Sequence, residues 1–293
     1  MKICYQTNNL FERIEWDTAL RWIAEAGFDA VDYSMFFLNK PGNPLRDDDP
    51  KEHAEKVLPL VQKNGLHVHQ GHAPFPSNIP ENEEYNKTIL DDIRKSLEIA
   101  GHLGIGQVVV HPFKAEGGRE AVKEANIRFY NSLADTARKA HVRIAIENVW
   151  DWDPVKNRIV PLGPANAEEL ADLYDALDPE VFTICLDIGH CSLVGEKPDE
   201  VIRTLGHDRL GALHVHDNDG KSDLHMLPYS ANCNIDWKAI TDALGEIDYT
   251  GYFTLEADVF ISRGTPAVVP AMLEYSAKIS RILSDDADKA RKR

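Results

Sequence analysis

Residues 182–190 read FTICLDIGH: a continuous apolar run that ends on an aspartate and then breaks into a glycine and a histidine. A short apolar run of this kind, bounded by turn residues, is how a strand buried on both faces of a parallel sheet reads. The same unit recurs along the chain. Apolar or β-branched runs predict strands at 2–6, 30–34, 66–71, 107–111, 143–147, 182–187, 210–216 and 251–256. Between and after them, amphipathic stretches predict helices at 17–26, 51–64, 84–103, 118–140, 166–177, 198–205, 237–246 and 266–283. Asp17 with Gly27, and Asn166 with Glu169 three residues on, read as helix-capping signals.

Eight strand–helix units in sequence, with no linker or low-complexity stretch between them, predict an α/β fold of the TIM (β/α)8 barrel class. A doubly wound open sheet is the rival architecture. It would carry fewer strands and a glycine-rich first turn, which QTNNLFE at 6–12 does not provide. The 293 residues suit one barrel domain spanning 1–293, with 284–293 read as a frayed tail because that segment has no apolar stripe.

Composition narrows the function. With 43% apolar and 27% charged residues and no apolar run near 18 residues, the chain reads as soluble, with no membrane partner. The opening MKICYQTNNLFERIEW enters a strand at once and lacks the regions of a signal peptide, so a cytoplasmic location is expected. Cys4, Cys185, Cys191 and Cys233 are widely spaced without a C-x-x-C pair, which points to reduced thiols. A formal net charge of −16 opposes attraction to a phosphate backbone, and no nucleic-acid partner is expected.

In a TIM barrel the carboxyl ends of the strands form the active face. His72 lies just past the third predicted strand, His111 and Glu147 end the fourth and fifth, Asp187 ends the sixth, His214 lies late in the seventh, and Glu256 ends the eighth. The chain holds 48 acidic residues and 12 histidines in all. At that density six successive strands would each deliver such a side chain by chance only on the order of a few times in a thousand. Carboxylates and imidazoles without thiolate suit a divalent ion, Mn²⁺ foremost, with Mg²⁺, Co²⁺ or Zn²⁺ as alternatives.

The alternative for Glu147, Asp187 and Glu256 is a structural carboxylate, which would need a buried partner. His214 and His216 share a face of their strand by period-two alternation, so that His214 can be a ligand while His216 meets substrate or solvent. His190 falls in the turn after Asp187. His67 and His69 are placed in the barrel interior, and His53, His102, His141 and His207 are read as solvated surface histidines.

At IENVWDW (146–152), CLDIGH (185–190), LHVHDNDGKSDLHMLP (213–228) and LEADVF (255–260) the chain resembles the xylose-isomerase-like TIM barrels. This superfamily holds sugar isomerases, ketose 3-epimerases, inosose dehydratases and metal-dependent apurinic endonucleases. Resemblance to the ketose epimerases implies one divalent ion held by Glu147, Asp187, His214 and Glu256, with His190 on the substrate. Resemblance to the endonucleases implies three zinc ions on His72, His111, Glu147, Asp187, His190, His214, Asp223, His225 and Glu256. Two features depart from the pattern. The loop after His225 reads LPYSANCNIDW instead of continuing with Pro-Gly and a second glycine, and Gly220 with Lys221 stands where the epimerases carry an arginine.

The activity this reading implies is a sugar isomerase or epimerase, in which proton transfer runs through a metal-stabilised enediolate. Glu147 and Glu256 would exchange the proton from opposite faces of the substrate carbon, and His190 would stabilise a substrate oxygen. His72, His111, Trp150, His216, Lys221, Asp223 and His225 are the remaining candidate substrate contacts. Trp152, Phe75, Phe113 and Tyr229 also lie near the mouth. The partner is then a small sugar or polyol, and homo-oligomers are common among the relatives. The alternatives are a dehydratase or lyase acting on a cyclitol or sugar conjugate, and a zinc-dependent apurinic endonuclease.

Overall fold

The computed structural model describes residues 1–40, 43–164 and 166–291. Its strands are β1 (Ile3–Gln6), β2 (Ala30–Ser34), β3 (His67–His72), β4 (Gln107–Val110), β5 (Arg143–Glu147), β6 (Val149–Asp153), β7 (Arg158–Leu162), β8 (Phe182–Asp187), β9 (Leu210–His214) and β10 (Phe253–Leu255). Eight of them form one parallel sheet in the order β10-β1-β2-β3-β4-β5-β8-β9. A bridge between Val215 and Leu255, with Val215 N donating to Thr254 O at 2.9 Å and Glu256 N to Val215 O at 3.0 Å, joins the ends into a barrel. Helices pack around it, and the expected TIM barrel is the observed architecture.

Side-chain alternation divides each strand between two compartments. On β8, Phe182, Ile184 and Leu186 enter the large apolar core under the helices, while Cys185 joins Val109, Ala145 and Ala212 in a small cluster separate from it. These four come from β4, β5, β8 and β9 and fill the barrel interior with small side chains. Ile144 and Ile146 on β5 and Phe253 and Leu255 on β10 repeat the outward pattern. The parity that buries the isoleucines outward therefore sends Glu147, Asp187 and Glu256 inward at the carboxyl ends. Each buried Leu, Ile or Phe contributes about 1.5–3 kcal/mol, which holds this parity firmly.

Several local expectations change. The helix expected from Asp17 begins at Trp16, capped by Glu15, whose side chain accepts from Thr18 N, and Asp17 instead pairs with Lys63 at 2.6 Å. Gly27 does end that helix in the left-handed conformation, φ 101°, and Asn166 caps the helix Ala167–Tyr174 by accepting from Glu169 N. His53 is buried rather than solvated, with Nε2 2.7 Å from the Tyr33 hydroxyl. His69 stacks on Tyr252 at 3.5 Å, and His67 meets the same tyrosine's hydroxyl while remaining exposed, both at the amino end of the barrel.

The tail expected to fray from residue 284 is helical to Arg291, within Val269–Arg291. Gly245 explains its order, since a Cβ there would stand 2.7 Å from the Ala287 carbonyl oxygen, so glycine lets the two helices approach closely. Ala287 is buried, Arg291 pairs with Asp248 at 2.6 Å, and the amino terminus pairs with Asp288. Deleting 284–293 should therefore lower the unfolding free energy by about 2–4 kcal/mol, the range of a lost buried packing contact. A thermal melt unchanged by the deletion would show that the tail contributes nothing.

Candidate active site

The inward carboxylates meet the histidines of neighbouring strands at the carboxyl end of the barrel. Glu147 lies at the centre. His214 Nδ1 is 2.6 Å from its Oε1, while His111 Nε2 at 2.7 Å and His72 Nε2 at 3.5 Å approach its Oε2. Glu256 Oε2 is 3.2 Å from His214 Nδ1. Asp187 accepts from His190 N at 2.6 Å and caps the short helix Ile188–Leu193. Ligand-type atoms of Glu147, Asp187, His214 and Glu256 fall within 4.8 Å of one another, as do those of His72, His111 and Glu147, and those of His190, His216, Asp223 and His225.

These are deeply buried charges. Glu147 is 1% exposed, Asp187 and His214 0% and Glu256 5%. Burying a carboxylate costs several kcal/mol unless an opposite charge or a hydrogen bond compensates. Among the described residues, the 460 Å³ cavity above them is lined by no lysine or arginine. Asp187 Oδ2, Asp223 Oδ1 and His216 Nδ1 have no hydrogen-bond partner despite full burial. Orphaned donor atoms that converge in this way fit a divalent cation.

The charges shift one another accordingly. Burial would raise Glu147, but His214 and His111 outweigh it and hold the carboxyl well below its ordinary range. Glu256 goes the other way. Burial pushes it up to about 8, against the pull of His214 and His225. Burial disfavours charge on His190 and His225. The carboxylates around them prevail, Asp187 and Asp223 lifting His190 to about 10, and Asp223, Glu256 and Asp258 raising His225.

Beneath this layer lie residues the sequence reading passed over. Asp32 on β2 is fully buried, accepts from Gln70 Nε2 at 2.8 Å, and stands 3.3 Å from His214 Nε2. A carboxylate behind a ligand imidazole fixes its orientation and raises its basicity. The signal was present in AVDYS, where Val31 and Tyr33 pack outward and leave Asp32 inward. Asn148 is a second such residue, with Nδ2 donating to Asp187 O and its own carbonyl accepting from His190 Nδ1 at 2.9 Å.

Of the expected substrate contacts, His72, His111, Trp150, Asp223 and His225 border the cavity, together with Phe75 and the proposed ligands Glu147 and Glu256. His190 borders it too. His216 lies fully buried against Asp187, 3.0 Å away, and is not part of the cavity wall. Lys221, Trp152 and Tyr229 are exposed, and these three and Phe113 stay outside the lining. Trp150 comes from the β6–β7 hairpin, which strand alternation alone did not predict, and its Nε1 donates to Asp223 Oδ2 at 3.0 Å.

The chain matches the family model described as xylose isomerase-like TIM barrel over residues 20–275. An uncharacterised protein, y4fM, of Sinorhizobium fredii is 26% identical over 276 residues, 80% of this chain and 82% of that protein. A probable endonuclease 4 of Acholeplasma laidlawii is 24% identical over 218 residues, 67% of this chain and 69% of the relative. Among solved structures, a D-tagatose 3-epimerase-like protein superposes with a TM-score of 0.74 at 22% identity, covering 100% of this chain and 99% of its own. The IOLI protein with a bound zinc atom superposes at 0.70 with 19% identity, covering 98% of each chain.

The charge shifts predict a pH dependence. In the metal-free protein His190, His214 and His225 hold protons above the ordinary imidazole range. A cation must displace those protons, so its apparent affinity should rise with pH and fall on acidification. Calorimetric titration with zinc in buffers of different ionisation enthalpy would register the released protons. Affinity independent of pH would show that none of these histidines gives up a proton to the cation.

Proposed function

The chain belongs to the xylose isomerase-like TIM barrels, and we propose that within that family it is a divalent-metal-dependent sugar isomerase or epimerase. The observation that carries this reading is the convergence of Glu147, Asp187, His214 and Glu256 beneath a cavity that, among the described residues, is lined by no lysine or arginine. Such a cavity suits an uncharged polyol. Three carboxylates and one imidazole form an oxygen-rich set, for which Mn²⁺ is the first choice, with Mg²⁺, Co²⁺ and Zn²⁺ also compatible. The epimerase-like structural neighbour agrees with the reading, and another neighbour holds zinc.

When bound, the ion would draw charge from substrate oxygens and so ease removal of a proton from the adjacent carbon. The chain's own residues do the rest. Glu147, kept ionised by His214 and His111, is suited to accept that proton. Glu256, pushed up to about 8 by burial, is suited to return one. Asp32 and Gln70 keep the His214 ring oriented. His72, His111 and Trp150 border the substrate, and Phe75, stacked on His111 at 4.6 Å, offers an apolar face to a sugar ring. The same proton abstraction would serve a dehydratase or lyase, in which a group leaves the neighbouring carbon.

An endonuclease reading draws on the assembly of all nine residues that the endonuclease resemblance implies, and on the endonuclease 4 relative. The cavity wall weighs against it, since a phosphate backbone needs lysine or arginine beside it.

Metal-loaded protein incubated with free ketoses in deuterated water should place deuterium on the carbon beside the carbonyl, and removing the metal with a chelator should stop the exchange. No exchange with any sugar, together with cleavage of abasic DNA, would overturn the assignment. Glu256→Gln should keep its melting temperature while turnover drops by about 10²- to 10⁴-fold, the usual contribution of one acid–base group. Near-normal turnover would remove Glu256 from proton transfer.

A further inference from the structure

We propose, building on the isomerase or epimerase reading, that the substrate carries a second sugar ring: a ketose glycosylated on a hydroxyl far from its carbonyl, whose attached sugar sits in a separate cavity at the carboxyl ends of β1 and β2.

That second cavity measures 500 Å³, beside the 460 Å³ of the one over Glu147 and Glu256. Each falls within the roughly 300–1,000 Å³ of a small-molecule site. Asn8, Phe36 and Phe37 border both, so the two chambers meet at a sill of three side chains. Chain order puts the sill there. Asn8 opens the helix Asn8–Arg13 directly after β1, and Phe36 and Phe37 lie in the turn just beyond β2. Phe36 also packs toward the first chamber, its ring 4.4 Å from that of His72 and 5.1 Å from that of Phe75. A ketose held by its carbonyl end above Glu147 and Glu256 would pass its glycosidic bond over this sill.

The walls of the second chamber suit a sugar. Phe11 and Trp16 line it, stacked on each other at 4.7 Å with an interplanar angle of 17° and each half-buried. Aromatic surface of this kind matches the apolar C–H face of a pyranose, while its hydroxyls need donors and acceptors around the edge. Asn8 and Ser34 supply them. Ser34 Oγ stands 3.5 Å from Asn8 Oδ1, which leaves Asn8 Nδ2 without a protein partner among the described residues.

Charge distinguishes a neutral ring from an anionic group. Among the described residues Glu12 and Lys40 line this cavity, one of each sign and both exposed, and Lys40 Nζ lies over the Phe37 ring, 3.3 Å from its centroid. His53 is buried in the same wall with Nε2 on the Tyr33 hydroxyl, and burial holds it below the ordinary imidazole range. A phosphate would call for several charged donors in place of this balance. Binding gathered by the remote ring can be used to hold the reacting carbon against Glu147 and Glu256, so a substrate lacking that ring loses turnover as well as affinity.

Deuterium exchange into 4-O- and 6-O-glucosylfructose, compared with fructose and fructose 6-phosphate, tests the assignment. At least one glucosylfructose should exceed fructose in kcat/KM by about 10-fold or more, the worth of one good aromatic contact. Trp16→Leu should abolish most of that preference. Should Trp16→Leu fail to fold, Glu12→Ala on the surface should lower the preference about 3- to 10-fold, as for one lost hydrogen bond. A second readout needs no turnover: the indole N–H resonance of Trp16 should shift on titration with the preferred glucosylfructose and stay in place with fructose. If no sugar exchanges deuterium while that resonance shifts, the catalytic reading falls and the second-ring cavity stands. Equal kcat/KM for fructose and both glucosylfructoses, a preference for fructose 6-phosphate, or an unmoved Trp16 resonance would overturn the proposal.

Discussion

The structure turns on a concentration of buried negative charge that, among the described residues, no lysine or arginine offsets. Asp32, Glu147, Asp187 and Glu256 are almost wholly buried at one end of the barrel, with Asp223 close by, and only imidazoles stand among them. Protonated histidines can neutralise part of this charge, at the expense of crowding like charges among themselves. A bound cation would resolve the conflict more completely, because one ion satisfies several carboxylates and leaves each imidazole neutral. The hydrogen bonds behind these side chains, from Gln70 to Asp32 and from His190 to Asn148, would support that state.

The barrel provides the rigidity that such a site demands. Side chains projected from strand ends inherit the strand positions, and those are set by outward-facing side chains such as Ile144, Ile146, Phe253 and Leu255. One slip in register would turn every inward-facing polar side chain on a strand toward the helices, at the cost of its apolar face as well. Packing and chemistry therefore enforce the same alternation.

That coupling explains what could be read in advance. Strand ends, the barrel class and the convergence of Glu147, Asp187, His214 and Glu256 were legible because period-two patterning and chain order report them directly. Asp32 and Gln70 escaped notice because they lie within strands rather than at their ends. The burial of His53 depends on Tyr33, twenty residues away, and the order of the last helix depends on Gly245 in another element. Both are tertiary facts with no local signature. His216 had the right parity, but whether a ring on that face meets substrate or a buried carboxylate depends on Gly189, which local pattern does not reveal.

The indole of Trp150, bonded to Asp223 through its Nε1, has an optical consequence. Indole emission responds to charge beside the ring, and Asp223 would surrender much of its negative field to an arriving ion. The chain thus contains an intrinsic fluorophore bonded to a buried carboxylate and placed to report a change of charge there without any label.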